Sequence, residues 1–246
     1  AYCSHFSDQT FACLLIFMSD HFSFDDVDIY GEDVALFSPG KWLNTNCLHF
    51  CLRLLEHEIY FLENEEWFQP LNNLLYKSKH GRVLMDNSMR YAYYSKAVLS
   101  TLPHLFWVPD ILVCNGWQSA LIPNYYKNEY EGISDFYKKI KSVLVIHDLD
   151  DYSKVDRSDL VKMGVEIDPN IKGNKLNIYD VASYNADAIL IMDRPGEKIS
   201  SKLLKKAAFK DNQKKVTVFE QEDLEEIDFY AMTESLNQIV SDITSK

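Results

Sequence analysis

Two uninterrupted apolar runs dominate the middle of the chain. Val108-Pro-Asp-Ile-Leu-Val-Cys114 is bounded by Pro109 and by Asn115-Gly116, and Ser142-Val-Leu-Val-Ile-His-Asp148 ends in two polar residues. Short apolar runs without alternation predict strands buried on both faces, as in a parallel sheet. Between them, Trp117–Tyr126 reads as a helix and the lysine-rich Tyr137–Lys141 leads into the second run. The stretch predicts a strand–helix–strand unit, the crossover that parallel strands need. The same reading predicts a helix over Asp86–Leu99, with Asp86 or Asn87 at its N-cap. It predicts a helix over Lys172–Asp187 feeding a strand Ala188–Met192, and a last strand Val216–Phe219. An acidic amphipathic helix follows over Glu222–Ile243, with Leu236, Ile239 and Val240 on its apolar face.

The first third of the chain is less regular. Phe11–Met18 and Asp33–Phe37 read as strands, and a helix runs through Cys47, Cys51 and Leu55. Glu58–Asn64 reads as a further strand, and Asp150–Arg157 as a polar loop. Strands alternating with helices and an absence of hairpin signals give an α/β class. The expected fold is a single Rossmann-like domain, a mostly parallel sheet flanked by helices. Residues 58–62, 110–114, 142–147, 187–192 and 215–219 are expected in one sheet. Ligands of such sheets bind outside the carboxyl ends of the strands. Asn115, Gly116, Trp117, Gln118, His147 and Asp148 all fall there, and are where chemistry is expected.

Composition narrows the function classes. At 246 residues, with 47% hydrophobic and 13% aromatic residues, the chain has enough material for a proper core. Its formal charge of −12 gives no basic footprint, so nucleic acid and an anionic membrane surface are not expected partners. The apolar run Phe11–Met18 is eight residues long, too short to span a bilayer, and lacks the cationic flank of a signal peptide. The five cysteines, Cys3, Cys13, Cys47, Cys51 and Cys114, are odd in number and irregular in spacing. They read as buried thiols of a reducing, cytoplasmic compartment. Cys47 and Cys51 share a helix face near His49 and His57, but nothing completes a metal set. The acidic cluster of Asp148, Asp150 and Asp151 reads as a solvated loop. Neither a metal nor a cofactor is expected.

Several segments resemble the glycogen/starch synthase family. Trp107-x-Pro-Asp-Ile-Leu-x-Cys-Asn-x-Trp-x-x-Ala-Leu-Ile-Pro-x-Tyr125 is similar to that family's W-x-P-D-I-[IV]-H-x-[HN]-D-W-H-[TA]-[AG]-L-[VA]-P-x-Y. Val145-Ile-His-Asp-Leu149 resembles its T-[IV]-H-N-L. Ile59-Tyr-Phe-Leu-Glu-Asn64 with Trp67-Phe68, and Asp86-Asn87 with Arg90-Tyr91 and Ser95-Lys96-Ala97, match two further segments. Asn177, Ala182, Tyr184, Ala186 and Asp187 match a later one, with Asp180 where the family has Lys. The resemblance covers residues 58–192, leaving 1–57 as a poorly matched part of the same domain and 58–246 as the domain proper. A shorter likeness, of Asp33–Asn44 to the SUMO-type cysteine proteases, lacks the catalytic residues that family needs.

The resemblance implies one half of a GT-B-type retaining glucosyltransferase, with an α-glucan acceptor and an ADP-glucose or UDP-glucose donor. It implies a catalytic role for His147, at the place where the family histidine meets the donor glucose. It implies substrate contacts from Asn115, Trp117, Gln118 and Asp148. Tyr125 and Tyr126 add aromatic faces that sugar rings could stack on. The departures matter as much: the family's Asp and His are Gly116 and Gln118 here, and no Gly-Gly pair follows the first strand. Glutamine bonds to sugars but shuttles no proton at neutral pH. The chain is also expected to stop before a second Rossmann-like domain, so a non-catalytic α-glucan-binding or regulatory subunit is the alternative. A partner chain or a homo-oligomer is compatible with either.

Overall fold

The computed structural model describes residues 11–13, 60, 62, 64–68, 80, 82–105, 108–221 and 229–245. Two compact units divide the chain, Ala1–Gln9 with Leu14–Pro70, and Thr10–Cys13 with Leu71–Lys246. In the first, one turn of helix (α1, Glu65–Phe68) starts where the Asn64 side chain accepts from the backbone N–H of Trp67 at 3.0 Å. Tyr60 and Leu62 are in neither helix nor strand. The rest of the expected strand 58–62, the strand 33–37 and the helix around Cys47 and Cys51 lie outside the described residues.

The second unit is a Rossmann-like α/β domain. Five strands, β1 (Phe11–Cys13), β2 (Ile111–Asn115), β3 (Lys141–Ile146), β6 (Ala188–Asp193) and β7 (Val216–Glu220), form one sheet in that spatial order. Every pairing is parallel, with Cys114 opposite Leu144, Val145 opposite Leu190 and Ile191 opposite Val218. The order follows the chain without reversal among the described strands. The continuous apolar runs are explained by burial on both faces. Ile111, Val143, Val145, Ala188, Leu190 and Phe219 meet Ile239, Val240 and Ile243 of the last helix, α8 (Phe229–Thr244). Residues alternate along a strand, so Leu112, Cys114, Leu144, Ile146, Ile189 and Ile191 face the other way. On that side α2 (Asn87–Thr101), α3 (Ile122–Tyr125), α5 (Ile178–Asn185) and α7 (Ala207–Asp211) pack in succession.

Three expected elements differ. The strand expected from Val108 begins at Ile111, because Pro109 has no N–H for a ladder and the first bond runs from Lys141 to the Asp110 carbonyl, 2.9 Å. The helix expected from Trp117 does not begin until Ile122. Turns occupy 116–121, where the Ser119 hydroxyl bonds back to the Asn115 carbonyl at 2.9 Å and competes with helix. Pro123 then sits in the first turn of α3, where its missing N–H costs nothing. The chain continues as a π-helical turn, Tyr126–Tyr130.

The third difference is a two-stranded antiparallel ribbon, β4 (Lys154–Asp156) with β5 (Lys175–Asn177), where a loop and the start of a helix were expected. Between its strands lies α4 (Arg157–Lys162). Helix α5 starts only after β5, at an N-cap where Asn177 Oδ1 accepts from Tyr179 N–H at 2.9 Å. After β6, α6 (Ile199–Leu203) completes the set.

Candidate functional site

The carboxyl ends of β2 and β3 bring the sequence-derived residues to one place. β2 ends at Asn115, whose partner in register is Val145. Gly116 extends the ladder by one bond, its N–H donating to the Val145 carbonyl at 2.9 Å. The backbone then turns sharply, with φ +73° at Gly116, a conformation that glycine adopts without cost. A Cβ at Gly116 would meet Gln118 Oε1 at 2.8 Å and His147 Nε2 at 3.0 Å. The tips of Gln118 and His147, carried just past the ends of two different strands, therefore converge on the same point. Neither tip has a hydrogen-bond partner among the described residues.

His147 is the first residue past β3, its side chain 33% exposed. Its Nδ1 lies 3.2 Å from Asp148 Oδ2. The other Asp148 oxygen accepts from the Tyr179 hydroxyl at 3.3 Å. Burial pushes the Asp148 carboxyl above the ordinary range, and His147 and hydrogen bonds from Tyr179 and the Asp150 backbone pull the other way. Burial, then the charge of Asp148, pushes the Tyr179 phenol far up, so it stays a hydrogen-bond donor at any ordinary pH. The neighbouring strand contributes no free carboxylate: Asp193, at the end of β6, is buried and accepts from the Ser200 N–H at 2.8 Å.

Trp117 takes a different part. It is only 2% exposed, and its ring packs edge-on against Tyr91 at 4.6 Å, with Tyr152 6.2 Å away on another side. In this arrangement it supports the turn from beneath and offers no open face. Tyr125 and Tyr126 are both fully buried, which corrects the expectation that they stack on sugars. Their hydroxyls instead bond to backbone carbonyls of Met163, and of Tyr137 and Ile140. Both tyrosines belong to the apolar repeat of a helix packed on the sheet, and that burial was not separable from a sugar platform in the sequence. Cys114 is a buried free thiol that burial pushes well above its ordinary value, the opposite of an activated nucleophile.

Sequence reasoning missed Tyr179. It sits in the first turn of α5, 31 residues from Asp148, and no local spacing links the two. Its only sequence signal was the N-cap Asn177 two residues earlier. Among the described residues, no group of three or more His, Cys, Asp or Glu side chains is arranged to hold a metal ion. No described helix is long and apolar enough to cross a membrane.

A parallel sheet with polar groups gathered at its carboxyl edge defines the Rossmann-like class of α/β domains, whose ligands sit at that edge. The profile of the family described as "Starch synthase catalytic domain" matches residues 16–195, and the chain belongs to that family. It is similar to a glycogen synthase of Lachnospira eligens, 36% identical over 135 residues, covering 55% of this chain and 27% of that protein. It is also similar to a glycogen synthase of Clostridium perfringens, 33% identical over 157 residues, covering 63% of this chain and 30% of that protein. The chain thus spans less than a third of the length of these two relatives. A solved structure, the catalytic domain of Starch Synthase IV from Arabidopsis thaliana bound to ADP and acarbose, aligns with 60% of this chain and 31% of its own, with TM-score 0.47 and 17% identity.

Proposed function

We propose that this chain is the acceptor-holding, N-terminal type of domain of a glycogen/starch synthase-like glucosyltransferase. In such a reaction the bond from glucose to the diphosphate of ADP-glucose or UDP-glucose breaks, and a new glycosidic bond forms to an α-glucan hydroxyl. The observation that carries this reading is the convergence of Gln118 Oε1 and His147 Nε2 on the point above Gly116. Sugar hydroxyls donate and accept at once, and an amide beside an imidazole offers them both roles. Family membership and the two glycogen synthase relatives point to the same substrate class. Asn115, exposed at the end of β2, and His147 form the wall in this reading, with His147 as the group that meets the reacting glucose.

One observation favours a second reading, a non-catalytic α-glucan-binding or regulatory subunit on the same scaffold. Gly116 offers no carboxylate and Gln118 no titratable proton, so the edge keeps hydrogen bonding while losing acid–base groups. Glycogen co-sedimentation run beside transfer of radiolabelled glucose onto glycogen separates the two readings. Pelleting weakened by Gln118→Ala and His147→Ala supports the site. Transfer abolished by His147→Ala selects the enzyme, and pelleting without transfer selects the binding subunit. Pelleting and transfer that both ignore the two substitutions would remove the site from this edge.

A further inference from the structure

We propose that Tyr179 and Asp148 act together as positioning residues for His147, one carboxylate holding the ring from β3 and the phenol of α5 holding that carboxylate. The relevance of His147 to glucosyl transfer rests on the reading above; the positioning itself does not.

The geometry leaves each atom one role. An oxygen of the Asp148 carboxylate 3.2 Å from His147 Nδ1 favours the tautomer with its hydrogen on that nitrogen, since a bare Nδ1 would set its lone pair against the charge. The contact of 3.3 Å to Oδ1 takes its hydrogen from Tyr179. Both oxygens are then occupied by side chains of this chain, which makes Asp148 a holder of the ring rather than a contact for sugar. With Nδ1 protonated, the neutral ring presents a bare Nε2, and Nε2 is the atom that reaches the point above Gly116. The imidazole faces the site as an acceptor, able to take a hydrogen bond or a proton from a hydroxyl. A second partner orienting the first is the usual way a histidine's tautomer is set.

Tyr179 is the element that only the tertiary structure supplies. It is fully buried in the first turn of α5, a helix anchored by the Asn177 cap. The backbone of Trp117, in the turn that carries Gly116 and Gln118, acts on the same phenol against the upward push of burial. The phenol ties the end of β3 to α5, and the placement of the His147 ring beside Asp148 depends on it. Asp150, two residues on, adds a negative charge that acts on the same carboxyl.

The experiment is nitrogen-15 NMR of the His147 ring in the intact chain, at a pH where the ring is neutral. The expected result is Nδ1 at the protonated, pyrrole-like end of the shift range and Nε2 at the bare, pyridine-like end. Tyr179→Phe keeps the ring volume and removes the hydroxyl, and should bring the two shifts toward each other. Asp148→Ala should reverse them toward the tautomer that free histidine prefers. Asp148→Asn, which can keep an oxygen beside Nδ1, should stay close to the wild-type pattern, which a general loss of packing would not do. A wild-type ring carrying its hydrogen on Nε2, or shifts unmoved by both Tyr179→Phe and Asp148→Ala, would overturn the proposal. None of these readouts uses glucan or sugar nucleotide, so they stand whatever the transfer assay returns.

Discussion

Ser142 and Asp187, 45 residues apart, hold each other through backbone and side chain alike. The Asp187 carboxylate accepts from the Ser142 N–H at 2.8 Å and from its hydroxyl at 3.1 Å, while the Asp187 N–H donates to the Ser142 carbonyl at 3.0 Å. Ser142 is fully buried, and Lys127 lies 3.5 Å from the other Asp187 oxygen. The pair clamps the amino ends of β3 and β6, at the opposite edge of the sheet from the candidate site. Asp187→Ala strands two buried donors, and each unsatisfied donor costs about 1–3 kcal/mol. The expected outcome is a large drop in urea midpoint with no change in m. A midpoint within experimental error of wild type would show that water replaces the clamp at no cost.

The turn at Gly116 sets a second expectation. A residue with a Cβ pays about 1–2 kcal/mol for this left-handed backbone, less for asparagine, and must also displace the Gln118 tip. Stability should therefore fall in the order glycine, Gly116→Asn, Gly116→Ala, Gly116→Val. Urea denaturation of the three variants checks it. Equal stability for Asn and Ala would contradict the backbone argument.

Asp148 gives a pH dependence with a definite sign. Its carboxyl is raised in the folded state, chiefly by burial, so folding favours the protonated form. Ionisation then costs stability. The contribution is intact below the ordinary value of 3.8 and is lost as pH rises through the raised folded value. Relative to Asp148→Asn, the wild type should lose stability over that window and run parallel to it at higher pH. Paired urea titrations across the acid range measure the difference, and a wild type that gains on the variant as pH rises would be the wrong sign.

Trp117 and Gln118 are neighbours in sequence with opposite expected phenotypes. Truncating a buried tryptophan costs about 3–5 kcal/mol, so Trp117→Ala should lower the melting temperature strongly and lose glycogen pelleting only through unfolding. Gln118→Ala should melt close to wild type, since its tip bonds to no described residue, and still pellet less glycogen. Melting curves beside co-sedimentation separate the two, and a fully stable Trp117→Ala that pellets poorly would return Trp117 to the sugar-facing wall.

The sequence by itself determined the class of fold and the edge on which to look. The apolar runs read at 108–114, 142–148 and 188–192 had to be buried on both faces, and the carboxyl ends of the first two put Asn115, Gly116, Gln118 and His147 at one edge. Such periodicity is a local property, readable within a few residues. The tertiary structure alone decided which side chains at that edge are occupied. Trp117, Tyr125 and Tyr126 went into the core, because aromatic rings on a sheet-covering segment gain more from burial than from water. The ribbon of β4 and β5 escaped notice because three-residue strands carry too little pattern to separate from a loop. Tyr179 became part of the site only because α5 packs its first turn against the end of β3, and a contact across 31 residues leaves no spacing in the sequence to read.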